Sequence, residues 1–242
     1  MTRTVAIVQA RAGSTRLPGK VLRPLAGAPM LAHVVARVQR CNRVDDVVVA
    51  TSDAAGDDAV AEVAAAAGAR VFRGSETDVL GRYAAAARMA HADRVVRITA
   101  DCPLLDPAVV DDVIAALSPQ VDYAANVLVR TFPRGLDAEA LHADVLARLD
   151  RIAGTRPARE HVTWLIHRRP EWFKTASVTN PDGDDSDLRW TVDTEADFVA
   201  VAALYRALDL GRRLAPWREV RAYVRAHPDI AAVNAHVVQK AS

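Results

Sequence analysis

Arg11, Arg16 and Lys20 fall within ten residues of one another, interleaved with Gly13, Ser14 and Thr15. Cations, hydroxyl donors and a glycine that lets the backbone approach a ligand together suit a polyphosphate. Pro18-Gly19 fits the two central positions of a type II turn, which would fold Lys20 back toward the loop. A solvated basic loop is the simpler reading, but these residues follow directly on the apolar run Val5–Val8. Two carboxylates far along the chain could complement the cations. Asp101 follows the apolar run Arg94–Ile98, and Asp193 follows Leu188–Val192. Mg²⁺ takes oxygen ligands, commonly one or two carboxylates together with substrate phosphates, and both residues fit that task. Asp101 could instead cap the turn before Pro103 or pair with Arg97. Thr194 and Asp197 read as a variant capping box, so Asp197 is as much a helix cap as a ligand, and Asp193 is the better ligand. Cys102 reads as a small packed thiol.

These residues need a scaffold, and the first half of the chain supplies one. Apolar runs at 5–8, 44–51, 69–72 and 94–98 read as strands, separated by helical stretches from Pro29 through Val38 and at 54–68, 78–91 and 107–117. Such alternation predicts an α/β protein with a doubly wound, mainly parallel sheet. Ligands on such sheets sit beyond the carboxyl ends of the strands, here 9–20, 51–53, 73–82 and 99–103. Thr51-Ser52-Asp53 reads as a helix N-cap. In the second half, 121–125, 172–178 and 188–192 read as strands, and 138–151, 159–168, 195–208 and 216–227 as helices. The acidic stretch Asp182–Asp187 reads as a solvated turn, because its spacing does not fit a calcium loop. No linker or repeat divides residues 1–242, which predicts one domain.

Composition narrows the function. The chain has 242 residues, 51% of them hydrophobic, and a net charge of +1. That balance lacks the basic footprint of a nucleic-acid binder, so no nucleic-acid partner is expected. Its cations are nearly all Arg, with Lys only at 20, 174 and 240, so Lys20 stands out. Two cysteines are too few for a disulfide framework or a zinc site. No signal peptide and no apolar run of about 18 residues is apparent, so no membrane association and a cytoplasmic location are expected. Neither G-x-x-x-x-G-K-[ST] nor G-x-G-x-x-G occurs.

The stretch I-V-Q-A-R-A-G-S-T-R-L-P-G-K-V-L resembles the opening signature of the bacterial sugar cytidylyltransferases. It is most similar to the spore-coat polysaccharide biosynthesis branch, related to the CMP-sialic-acid and CMP-Kdo synthetases. T-A-D-C-P-L around Asp101 and L-R-W-T-V-D-T-E-A-D around Asp193 resemble two metal-binding segments of the same family. The resemblance implies a nucleotide-diphospho-sugar transferase (GT-A-like) fold and Mg²⁺-dependent transfer of CMP from CTP to a sugar or other anionic acceptor. It implies CTP contacts from Ala10, Arg11, Ala12, Gly13, Ser14, Arg16, Lys20, Arg73, Arg82 and Thr99, with metal on Asp101 and Asp193. Arg11, Lys20, Asp101 and Asp193 would be catalytic. Arg82 could alternatively pair with Asp78 along one helix. Arg134, Asp137, Arg159 and His161 match segments near the acceptor pocket, and His161 could equally be a surface or core histidine. Arg134 stands where the family's D-G-L-D form has an acid, which suggests a more anionic acceptor. Family members often form homodimers, and residues 126–185 are the expected interface or acceptor-pocket excursion. A nucleotide-sugar-dependent glycosyltransferase and a non-catalytic nucleotide-binding regulator are the competing readings. On the phosphate-binding reading, Lys20→Ala weakens nucleotide binding and leaves thermal stability nearly unchanged.

Overall fold

Val5 and Ile7 pack into one hydrophobic cluster and Ala6 and Val8 into another, and all four are fully buried. A strand buried on both faces must lie inside a sheet covered by helices on both sides. The computed structural model describes residues 2–239 and has this layout. β1 (Thr4–Gln9) leads through a short 3-10 turn at Lys20–Leu22 and a small hairpin, β2 (Pro24–Leu25) and β3 (Ala28–Pro29), to α1 (Met30–Val38). There follow β4 (Asp46–Ser52), α2 (Asp58–Ala66), β5 (Arg70–Gly74), α3 (Val79–Met89), β6 (Arg94–Thr99) and α4 (Pro107–Ala116). The second half holds β7 (Tyr123–Ala125), β8 (Glu139–His142), α5 (Ala143–Ile152), α6 (Arg156–Glu160), α7 (Trp164–Arg168) and β9 (Thr175–Ser177). The chain then runs through α8 (Glu195–Ala207), α9 (Trp217–Ala226) and α10 (Pro228–Ala232).

The sheet order is β5-β4-β1-β6-β8-β7-β9. β5, β4, β1 and β6 are parallel, β8 runs antiparallel to both β6 and β7, and β9 is parallel to β7. The chain winds from β1 to β4 and β5 on one side, then returns to β6 on the other. The switch between β1 and β6 opens the crevice in which α/β sheets hold ligands. No helix of the described residues is long and apolar enough to cross a membrane.

Three elements differ from the expectation. The stretch 138–151, expected as one helix, begins as strand β8, because its backbone completes ladders with β6 and β7. Ala, Glu and Leu favour helix, but propensity is weak against two flanking ladders. The stretch 159–168 divides into α6 and α7, because Thr163 turns inward to donate to Glu139 at 2.6 Å. Residues 188–192 are extended but make only a single bridge, Arg134 with Arg189. Gly135 sets that contact. Its φ is +111°, and a Cβ there would lie 2.5 Å from the Thr191 nitrogen.

The acidic turn is mostly exposed, as expected, except at Asp185, and it is held by arginines. Asp185 is buried and pairs with Arg221 at 3.1 Å and Arg225 at 2.9 Å, while Arg225 also holds Asp187 at 2.7 Å. Arg218 of the same helix pairs with Asp182. One face of α9 therefore latches the turn.

Gly135→Ala should lower stability by about 2 kcal/mol or more, since left-handed strain and overpacking each cost about 1–3 kcal/mol. Thermal melting checks it; an unchanged midpoint would mean that the 134–191 contact relaxes freely.

Candidate active site

β1 ends at Gln9, and residues 10–19 form a loop tied down mainly through its backbone. Gly19 and Ser14 both donate their N–H to the Ala12 carbonyl, at 2.9 and 2.8 Å. Lys20 N–H donates to the Leu17 carbonyl at 3.2 Å, and Gly19 has φ +67°, so Pro18-Gly19 makes the expected turn. Asp57, at the start of α2, accepts the Ala12 N–H at 2.7 Å and the Ser52 hydroxyl. Ser52 thus belongs to a loop anchor rather than to a helix cap. Asp57 went unnoticed in the sequence, since nothing near it signals a contact 45 residues away.

The turn sends Lys20 inward, where its side chain is only 11% exposed. Its ammonium donates to Asp101 Oδ2 at 2.9 Å, Asp193 Oδ1 at 3.0 Å and the Val192 carbonyl at 2.7 Å. Burial alone would lower its pKa, but Asp101 and Asp193 outweigh burial and hold the ammonium above the ordinary lysine range. Burial would raise the Asp101 pKa, and Lys20 overcomes it, keeping that carboxyl below the usual range. Arg16 reaches the other Asp193 oxygen at 3.0 Å, and Arg189 reaches the same atom at 3.0 Å. Lys20 is thus a buried ion-pair member, and its removal would leave Asp101 without an ion-pair partner among the described residues, while Asp193 keeps Arg16 and Arg189. That corrects the expectation that Lys20→Ala spares stability.

Asp197 is fully buried in a complete capping box with Thr194. It also pairs with Arg189 at 2.8 Å and accepts the Asp193 N–H at 3.0 Å. It therefore fixes the segment that carries Asp193 instead of facing the loop. Arg189 and Asn234, which donates to Asp197 at 2.9 Å, complete this support. Besides the capping box, the spacing of four residues between Arg189 and Asp193 is a sequence signal for it.

Beside the carboxylates lies a cavity of about 630 Å³ whose lining includes Arg97, Arg130, Arg134, Asp137, Glu139 and His161. Its charges are unevenly matched. Arg130 forms a two-pronged pair with Asp137 at 2.7 and 3.0 Å, and Arg97 pairs with Glu139. Burial would raise the Glu139 pKa, but Arg97, Thr163 and Tyr123 hold it below the ordinary range. Tyr123 donates to Glu139 at 2.7 Å and Thr163 at 2.6 Å, so one buried carboxylate organises the cavity floor. Arg134 is half-buried, and its guanidinium has no hydrogen-bond or ion-pair partner among the described residues. Burial and the neighbouring Arg130 push its pKa down. Thr99 and Cys102 also line the cavity, and burial and Asp101 raise the Cys102 thiol well above its ordinary value.

Several expected ligands point elsewhere. Arg159 pairs with Asp78 at 2.7 Å and Asp150 at 2.8 Å and does not line the cavity. Arg82 is buried and donates to the Ser75 carbonyl at 2.6 Å, with no pair to Asp78. Arg73 grips the Ser52 and Ala54 carbonyls, both at 2.9 Å, and Asp58 at 2.6 Å. Arg11 is exposed on the loop, 3.7 Å from Glu76, with Gly13 also exposed. Another hollow of about 680 Å³ lies beside Asp106 and Asp111, but these acids already accept backbone N–H groups of Ala108, Trp217, Asn42 and Arg43.

Among the described residues no three acidic, histidine or cysteine side chains converge as a metal cluster. Asp101 and Asp193 do converge on a single cation, the Lys20 ammonium. Two carboxylates with room for phosphate oxygens suit Mg²⁺, which rarely uses an all-protein cage.

Comparison with known proteins agrees with this architecture. A model of the cytidylyltransferase family matches residues 5–199. The spore coat polysaccharide biosynthesis protein SpsF of Bacillus subtilis is 35% identical over 206 residues, spanning 83% of this chain and 85% of that protein. A cytidylyltransferase from Leptospira borgpetersenii has a TM-score of 0.89 at 30% identity, covering 100% of both chains. CMP:2-keto-3-deoxy-manno-octonic acid synthetase, solved with CTP, shares the fold, with a TM-score of 0.65 at 21% identity over 85% of this chain and 99% of that one. The fold is thus that of the α/β nucleotidyltransferases. Within them, the chain belongs to the cytidylyltransferase family, in the branch its opening loop resembles.

Glu139→Gln should destabilise the protein by about 3 kcal/mol near neutral pH, because it strips the partner from buried Arg97. The Glu139 carboxyl is depressed in the folded state, so its contribution is full above the unfolded value of about 4.3 and fades as pH falls through the folded one. The melting gap between wild type and variant should therefore close in acid. A gap of constant size from about pH 7 to about pH 3 would refute a charge-based role.

Proposed function

We propose that the protein is a Mg²⁺-dependent cytidylyltransferase that transfers CMP from CTP to an anionic small-molecule acceptor and releases pyrophosphate. The observation that carries this reading is the meeting of Arg16 and Lys20 with Asp101 and Asp193 at the mouth of a cavity holding unmatched Arg134. Loop 10–20 would take the triphosphate, with Arg11, Arg16 and Lys20 as its charged contacts and Ala10, Ala12, Gly13 and Ser14 lining its path. Thr99 would approach the nucleotide from the end of β6. Asp101 and Asp193 would hold the divalent cation, which when bound neutralises phosphate charge and favours attack at phosphorus.

No enzyme nucleophile is required, and Cys102 is unsuited to be one because its thiol stays protonated. The chain's work is positioning and charge stabilisation. Arg134 would neutralise the acceptor's anionic group, Asp137 would hold Arg130 in place, and His161 would contact the acceptor from the cavity wall. Arg73, Arg82 and Arg159 would act at a remove, by holding the segments around the loop. The SpsF relative and the CTP-bound neighbour support the nucleotide and a small-molecule acceptor. Residues 126–185 carry exposed Val129 and Trp172, and we assign this stretch to the acceptor pocket and to a homodimer contact of a cytoplasmic enzyme.

The test is pyrophosphate release from each of the four nucleoside triphosphates across sugars, sugar acids and phosphonates. Release is expected with CTP and an anionic acceptor. Asp101→Asn should abolish it while the protein stays folded. Arg134→Ala should raise the acceptor KM about ten- to a hundredfold, the cost of one charged hydrogen bond, with the KM for CTP unchanged. Equal release from all four triphosphates would reject the nucleotide assignment. An unaltered acceptor KM in the variant would reject the role of Arg134.

A further inference from the structure

An ammonium group has three N–H donors, and Lys20 spends all three inside the protein. They go to Asp101 Oδ2, Asp193 Oδ1 and the Val192 carbonyl, at 2.9, 3.0 and 2.7 Å. In this arrangement none is left for a phosphate oxygen. Asp101 Oδ2 and Asp193 Oδ1 thus share one ammonium, while Asp193 Oδ2 is already taken by Arg16 and Arg189. A cation between Asp101 and Asp193 therefore has one place to sit, and Lys20 fills it.

We propose that Lys20 is a displaceable place-holder for the divalent cation, an inference that rests on reading Asp101 and Asp193 as the metal ligands. Arg16 and Arg189 reach Asp193 alone, so Lys20 is the one cation among the described residues that both carboxylates share. It occupies the shared position when no metal is bound. A divalent ion on the same oxygens would lie within repulsive range of the ammonium, so the two cations exchange and do not add. The released side chain starts from the 3-10 turn that closes the cationic loop, where a triphosphate is its natural partner. Nucleotide and metal thus favour each other's binding, because each removes what blocks the other, and such coupling is reciprocal.

Binding of Mn²⁺ alone, without nucleotide, is the direct test, followed by the loss of its free-ion electron paramagnetic resonance signal. Lys20→Met keeps the length of the side chain and vacates the position. The variant should bind Mn²⁺ roughly tenfold or more tightly than wild type, as expected when one charge-assisted competitor is lost. Asp101→Asn added to Lys20→Met should cancel the gain.

A second measurement covers a variant that does not fold. In the wild-type protein, acetylation of Lys20 read by mass spectrometry should be slow without metal and several-fold faster at saturating Mn²⁺. A folded Lys20→Met protein with unchanged Mn²⁺ affinity would overturn the proposal. So would an acetylation rate that Mn²⁺ leaves unchanged. Metal-dependent pyrophosphate release from CTP alongside either negative result would leave the cytidylyltransferase reading intact and reject the exchange alone. The exchange together with no release from CTP would do the reverse.

Discussion

The site depends on one buried ammonium that bridges carboxylates 81 and 173 residues away in sequence. The cationic loop after β1, the end of β6 and the segment before α8 meet at Lys20. Each carboxylate is costly to bury alone, and each becomes tolerable only because the other segments bring cations. Arg189 and Asp197 extend the same logic outward. Asp197 is buried without exposure, caps α8, receives Arg189 and holds the Asp193 backbone. The acid that faces the crevice is thus rigid because a second acid, four residues on, faces away from it.

The cavity beside this centre follows a different principle. Its floor is a closed polar network around Glu139, in which Arg97, Tyr123 and Thr163 satisfy one buried carboxylate. A satisfied network is stiff and specifies a shape. Arg134 is the exception, a half-buried cation without a partner among the described residues at the wall of a satisfied pocket. Charge left unmatched in a cavity is a preference for a ligand of opposite sign, and it makes this cavity electrostatically different from one whose charges are all paired.

Backbone geometry links the two halves. Gly135 lets its turn approach Trp190 and Thr191 at a distance no side chain permits, and the Thr191 hydroxyl and Val192 N–H then reach the Asp101 carbonyl at 3.3 and 2.8 Å. Cavity wall and carboxylate pair are therefore parts of one framework.

The sequence by itself determined the local features. Hydrophobic runs separated by helical stretches announced the parallel half of the sheet, because burial on both faces demands continuous apolar strands. Pro18-Gly19 announced its turn, and Thr194 with Asp197 announced their capping box, since each is a contact within a few residues. The tertiary structure alone decided whatever depends on distant partners. Strand β8 outweighed a helical composition because two neighbouring strands offered it ladders. The Asp182–Asp187 turn stayed mostly exposed but found arginines on α9, which bury Asp185 and latch the rest. Arg159 left the expected pocket for Asp78 and Asp150, which the packing of α6 beside the start of α3 and the end of α5 supplies. Lys20 was visible as an unusual residue in an Arg-rich chain, but its role as a buried bridge was not. A pattern of residue types records what a side chain can bind; which partner it binds is set by the fold that brings one within 3 Å.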